Sequence, residues 1–207
     1  FKTPQNLYVV GESHCLTSHR LNLGLSFGNF VCTSFLIPGC KQWDLGNSSF
    51  NKLKAKFESI IASLPKSSEV LIAIGEIDCR LDSGIIKHKN KFPEKDIISL
   101  IETTIESYLT YISRINRDYY HSITIQGVPC PNIEIKNIPK HQVDQLKDVI
   151  KIFNDRLKNR SSKKGFGFLD LHELTDRGDG FSNTLWHIDE YHISPDGILE
   201  AWGRYDS

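Results

Sequence analysis

Five short apolar runs, each closed by a turn residue, alternate along the chain with stretches whose apolar residues recur every three or four positions. Leu7-Tyr8-Val9-Val10 ends at Gly11, and residues 34–37 stop at Pro38-Gly39. Val70-Leu71-Ile72-Ala73-Ile74 stops at Gly75, Ile123-Thr124-Ile125 is followed closely by Gly127, and residues 167–171 form the last run. Phe50, Leu53, Phe57, Ile60, Ile61 and Leu64 share one helical face, which Pro65 closes. Ile97, Ile98, Ile101, Ile105, Tyr108, Leu109 and Ile112 mark a longer helix, and Val143, Leu146, Ile150, Phe153 and Leu157 another. Residues 87–95 read as a charged loop whose lysines are solvated. Ser194-Pro195-Asp196 has the make-up of a helix start: a capping Ser, Pro at the first position, an acid in the first turn. Continuous apolar strands alternating with helices imply an α/β domain with a mainly parallel, five-stranded sheet covered on both faces. Sites in such sheets lie beyond the carboxyl ends of the strands, so the residues just after each strand carry the functional argument.

Composition narrows the partners. Lys+Arg and Asp+Glu are both 25, so the net charge is zero and the basic excess of a nucleic-acid binder is missing. Hydrophobic residues make up 39% of the 207, enough for a core and one domain spanning 1–207. No apolar run approaches the length of a membrane span, and no secretory signal opens the sequence. The sequence holds no Met and begins at Phe1, which leads us to expect a processed terminus or a domain cut from a longer protein with further domains. Five cysteines (15, 32, 40, 79 and 130) cannot all pair internally and form no C-x-x-C, so free thiols in a cytoplasmic setting are expected. Asn47-Ser48-Ser49 and Asn159-Arg160-Ser161 match glycosylation sequons, which carry no weight without export.

Four strand ends carry reactive residue types: Gly11-Glu12-Ser13-His14-Cys15, Pro38-Gly39-Cys40-Lys41-Gln42, Gly75-Glu76-Ile77-Asp78-Cys79-Arg80, and Asp189-Glu190-Tyr191-His192. A serine hydroxyl is a weak nucleophile until a base takes its proton, and the base needs an acid to orient it. Ser13 follows the first strand. His192 lies beyond the last, three residues after Asp189, so one turn can present base and orienter to the same cleft. Ser13 could otherwise be a helix cap, and His192 a packing residue of the last helix.

These blocks resemble the SGNH (GDSL-like) hydrolase superfamily over essentially the whole chain. Its Gly-Asp-Ser block is matched by Gly11-Glu12-Ser13, its second-block glycine by Gly39 (with Gly46 as a rival), and its Asp-x-x-His block by Asp189 to His192. The resemblance implies a three-layer, flavodoxin-like α/β/α fold with Ser13, Asp189 and His192 as catalytic residues. The Ser13 and Gly39 N–H groups would form an oxyanion hole, and no metal or organic cofactor would be needed. Two departures matter. Ile77 stands where the family's third block has a donating Asn, and loss of one oxyanion donor costs about 10²–10³ in turnover. Arg80 and Gln42 are the expected substitutes, with Glu76 and Asp78 beside them as substrate-binding groups or as a local ion-pair network. Glu12 replaces Asp and is expected to hold the loop, with His14 and Cys15 in support. The Gly-Glu-Ile-Asp-Cys-Arg run resembles a bacterial variant joined to carbohydrate-related enzymes, which implies a small-molecule or glycan ester as substrate and hydrolysis or acyl transfer as the reaction. Two other classes stay open: a non-catalytic module that binds a glycan or a partner, and a metal-dependent phosphoesterase using His187, Asp189 and His192.

Overall fold

The computed structural model describes residues 3–206. Strands β1 (Gln5–Gly11), β2 (Asn22–Leu25), β3 (Gly28–Leu36), β4 (Glu69–Ala73), β5 (Ser122–Gln126) and β6 (Gly167–Leu169) form one sheet in the order β2-β3-β1-β4-β5-β6. β3, β1, β4, β5 and β6 run parallel. The sheet therefore has six strands where five were expected. The sixth, β2, is an antiparallel edge strand paired with an unforeseen extension at the start of β3. Its sequence, Asn22-Leu23-Gly24-Leu25, is short and half-exposed, so it carries little of the apolar signal that marks a buried strand.

Alternation along the strands supplies two cores. Leu7 and Val9 of β1, with Leu71 and Ala73 of β4, face one side. Val10, Ile72 and Ile125 face the other. The second face is covered by α2 (Lys52–Ser63), α5 (Ile97–Asn116) and α6 (Lys140–Lys163) through Phe57, Ile105, Tyr108 and Phe153. The first is covered by α7 (Leu171–Thr175) and α8 (Pro195–Tyr205) through Leu171, Ile198 and Trp202. Each such side chain contributes about 1.5–3 kcal/mol when withdrawn from water, and the result is the α/β/α arrangement.

Two local expectations are corrected. Residues 87–95 are not a loop: α4 (Gly84–Lys91) occupies most of them, anchored by the buried Ile85 and Ile86. Phe50 does not join the buried face of α2. It precedes the N-cap Asn51 and is 83% exposed. The start of α8 is as expected, with Ser194 accepting from the Gly197 N–H. No helix among the described residues is long and apolar enough to cross a membrane.

Candidate active site

The parallel strands end at one edge of the sheet, and the turn after β1 sits in the middle of it. Gly11 is demanded there by close approach: a Cβ would stand 2.1 Å from the Ala73 carbonyl oxygen of β4. The Glu12 N–H then donates to that same carbonyl at 3.1 Å, and the chain turns into a 3₁₀ segment, Ser13–Ser18. The cap of this segment is Glu12, whose Oε2 accepts from the His14 N–H at 3.2 Å. Ser13 is thereby freed from the capping role.

Ser13 Oγ lies 2.8 Å from His192 Nε2, and His192 Nδ1 lies 2.7 Å from Asp189 Oδ2. With Nδ1 protonated toward Asp189, Nε2 is the lone-pair nitrogen facing the serine. The other Asp189 oxygen accepts from the N–H groups of Tyr191 (2.8 Å) and His192 (2.7 Å). Partial burial opposes ionisation of Asp189, but these donors and the imidazole outweigh it and hold the carboxyl at about 2. The loop is pinned from outside. Asn132 Nδ2 donates to the Asp189 carbonyl at 2.9 Å, and the Ile188 N–H to the His192 carbonyl at 2.9 Å.

A second histidine was expected only as a supporting neighbour. His14 Nδ1 stands 2.6 Å from Glu12 Oε1, and its Nε2 donates to the Tyr191 carbonyl at 2.9 Å. Glu12 is 1% exposed and His14 2%. Burial opposes charge on both, but their mutual contact prevails: Glu12 is held below its ordinary value and His14 above. The ion pair thus links the serine turn to the loop of Asp189 and His192. Glu12 Oε2 also accepts from Ser13 Oγ at 2.9 Å, so the hydroxyl proton has two acceptors within reach. Paired to an imidazolium, Glu12 is the weaker base. The extra methylene of Glu over Asp was the sequence signal for this contact. Cys15 is buried behind the turn and its thiol is pushed up to about 12 by burial, which removes it as a nucleophile.

Gly39 has φ 69°, a left-handed turn, and a Cβ there would meet nothing within 4 Å, so the backbone at this position is open. Beyond β4, Arg80 is clasped by Glu76: Nε lies 2.9 and 2.8 Å from its two oxygens and Nη2 2.6 Å from Oε2. The Arg80 guanidinium stacks on the Tyr191 ring at 4.2 Å, which places it beside the His192 loop.

Gln42 and Asp78 are corrected. Both are fully buried, and the Gln42 amide N–H and the Asp78 carboxylate are engaged by backbone groups, so neither replaces the missing donor. Asp78 accepts from the N–H groups of Gln42 (2.7 Å) and Trp43 (3.2 Å), and Gln42 Nε2 donates to the Ile74 carbonyl at 2.8 Å. Together they lock α1 (Gln42–Gly46) onto α3 (Glu76–Cys79), the short helix after β4. Burial pushes the Asp78 carboxyl up to about 7 against the pull of those N–H groups. Ile77, at the Asn position, is half-buried. The alternative ligand set is not assembled either, because His187 Nδ1 is bonded to Ser182 Oγ at 2.8 Å while both His192 nitrogens are taken by Asp189 and Ser13.

The fold is shared with several solved structures. One is a GDSL-like lipase from Bacteroides thetaiotaomicron (TM-score 0.61, 12% identity, 97% of this chain and 86% of that one). Others are an extracellular lipase from Streptomyces rimosus (0.59, 12%, 97% and 99%) and a variant of an acetyl xylan esterase from Geobacillus stearothermophilus (0.57, 17%, 98% and 94%). At these identities the likeness establishes the SGNH type of α/β/α fold. No protein-family profile matches the sequence, and no curated protein matches it.

Proposed function

We propose that the chain is an SGNH-type serine esterase acting on a short acyl ester, with an acylated carbohydrate as its substrate class. The observation that carries this reading is the continuous relay from Asp189 through His192 to Ser13, with contacts of 2.7 and 2.8 Å. The esterase and lipases that share the fold support the same reaction class.

His192 Nε2 takes the Ser13 proton as Oγ attacks the ester carbonyl, and the carbonyl electron pair moves onto oxygen. In this reading the N–H groups of Ser13 and Gly39 donate to that oxyanion. Arg80 supplies the third donor in place of the missing Asn, since Glu76 engages its Nε and Nη2 and not its Nη1. Collapse expels the alcohol, which takes the proton from His192. Water, or a sugar hydroxyl in an acyl transfer, then gives its proton to His192 and attacks the acyl carbon; the bond from that carbon to Ser13 Oγ breaks, and Oγ takes the proton back from His192 Nε2.

Hydrolysis of p-nitrophenyl acetate by wild type, Ser13→Ala and His192→Ala tests the reading. Turnover in wild type and its loss in both variants is the expected result. A folded wild type without turnover supports the second reading, a non-catalytic glycan- or partner-binding module, which Ile77 at the donor position favours.

A further inference from the structure

At the same edge of the sheet as the serine relay lies a pocket of about 320 Å³ lined by Lys41, Trp43, Asp78, Lys87, His88 and Lys91 together with the apolar Ile85 and Leu100. Its walls include residues from the turns after β3 and β4, the two strands that flank β1 and its Ser13 turn. Lys41 follows Gly39 by two residues, and Asp78 belongs to the turn that ends in Arg80, whose guanidinium covers Tyr191 beside His192.

Apart from the fully buried Asp78, the charges that line this pocket are positive. Lys87 and Lys91 stand one helical turn apart on α4 and both reach the pocket, with His88 between them. Lys41 lines the same pocket from the turn after β3. None of the three lysines is ion-paired to an acid among the described residues, and Lys91 Nζ lies 5.2 Å from the centre of the Phe92 ring. The neighbouring lysine shows the contrast: Lys89 Nζ is spent on the Pro93 and Lys95 carbonyls at 2.6 and 2.7 Å. Two carboxyls border the site. Asp78 is buried and occupied by the Gln42 and Trp43 N–H groups, and Asp44 is occupied by the Lys41 N–H at 3.1 Å. At the rim Trp43 is 44% exposed, its ring centre 6.4 Å from that of His88. Its backbone N–H donates to Asp78 Oδ1 at 3.2 Å, and its half-exposed indole offers a face of the kind on which a sugar ring packs.

We infer that this pocket binds an anionic group (a carboxylate, sulfate or phosphate) carried on a sugar ring of the acylated substrate, with Lys41, Lys87 and Lys91 neutralising it and Trp43 stacking on the ring. The inference rests on the esterase reading above for the word substrate, and on the pocket alone for the anion. Unpaired lysines lining a concave wall attract an anion more strongly than lysines scattered on a convex surface.

Equilibrium binding separates the two. Trigalacturonate, a sulfated disaccharide and neutral xylotriose are each titrated into the whole chain and into Ser13→Ala, with tryptophan fluorescence and calorimetry as readouts. Neither readout needs turnover, so failure of hydrolysis and failure of anion binding are distinct results. An anionic probe binds about tenfold or more tighter than xylotriose at low salt and loses that advantage as salt rises. The Lys87→Ala/Lys91→Ala variant lowers anion affinity about tenfold, whereas Lys89→Ala does not. Preference for trigalacturonate or for the sulfated probe identifies the anion. Equal affinity for all three probes, or anion binding indifferent to Lys87→Ala/Lys91→Ala, overturns the proposal.

Discussion

The imidazole of His14 stacks on that of His192, with ring centres 4.6 Å apart and planes 28° from parallel. One ring belongs to the turn after the first strand and the other to the loop before the last helix. His14 is locked by Glu12 and by the Tyr191 carbonyl, so it is a fixed wall against which the proposed base is set. The pair is a positioning device for His192.

Breaking the Glu12–His14 ion pair from one side leaves a buried charge uncompensated. Glu12→Gln and His14→Gln are each expected to cost about 3 kcal/mol of stability, and the double variant less than the sum of the two. Both singles should lower kcat more than they raise KM. Urea denaturation and steady-state kinetics read the two effects; additive stability losses would contradict the coupling.

The pair also fixes a pH dependence. His14 is raised above its ordinary 6.5, so its contribution is complete below 6.5 and is lost as pH climbs through the higher folded value. Glu12 is lowered from 4.5, so its contribution is complete above 4.5 and is lost as pH falls through the lower folded value. Stability from the pair is therefore greatest between 4.5 and 6.5 and declines above and below that window. Urea midpoints measured against pH should show this decline in wild type and lose it in the Glu12→Gln/His14→Gln variant.

Arg80 replaces the absent Asn in the proposed mechanism. Arg80→Met should lower kcat about 10²-fold with a small change in KM, the pattern of a lost oxyanion donor. Ile77→Asn in that background should restore part of the rate. An unchanged kcat in Arg80→Met would remove Arg80 from the chemistry.

Two glycines at strand ends are required for different reasons. Gly11→Ala drives a Cβ into the β4 backbone at 2.1 Å and should destabilise by about 3 kcal/mol. Gly39→Ala meets no atom within 4 Å and carries only the left-handed backbone cost, about 1 kcal/mol. Comparable melting temperatures for the two variants would contradict this division.

Much of this architecture is written in periodicity, because buried parallel strands and amphipathic helices have distinct apolar patterns. The α4 helix was illegible because its apolar signal is two residues, Ile85 and Ile86, followed by a run of lysines. The β2 strand was illegible because an edge strand needs few apolar residues. At the site, residue type and place after a strand pointed to Ser13, Asp189 and His192, which the structure brings together. The same reasoning misjudged Gln42 and Asp78: polar residues after a strand also serve to satisfy backbone N–H and carbonyl groups of neighbouring turns, and sequence alone does not say which way they point. Long-range contacts such as His14 to Tyr191 have no local signature at all.

The central claim is that Ser13 is a nucleophile activated by His192. Incubation with a fluorophosphonate probe, followed by mass spectrometry of the digested chain, tests it most directly. The account predicts one adduct on the peptide containing Ser13, and labelling greatly slowed in His192→Ala and absent in Ser13→Ala. A folded wild-type chain that takes no label, or that is labelled elsewhere and equally in Ser13→Ala, would contradict it.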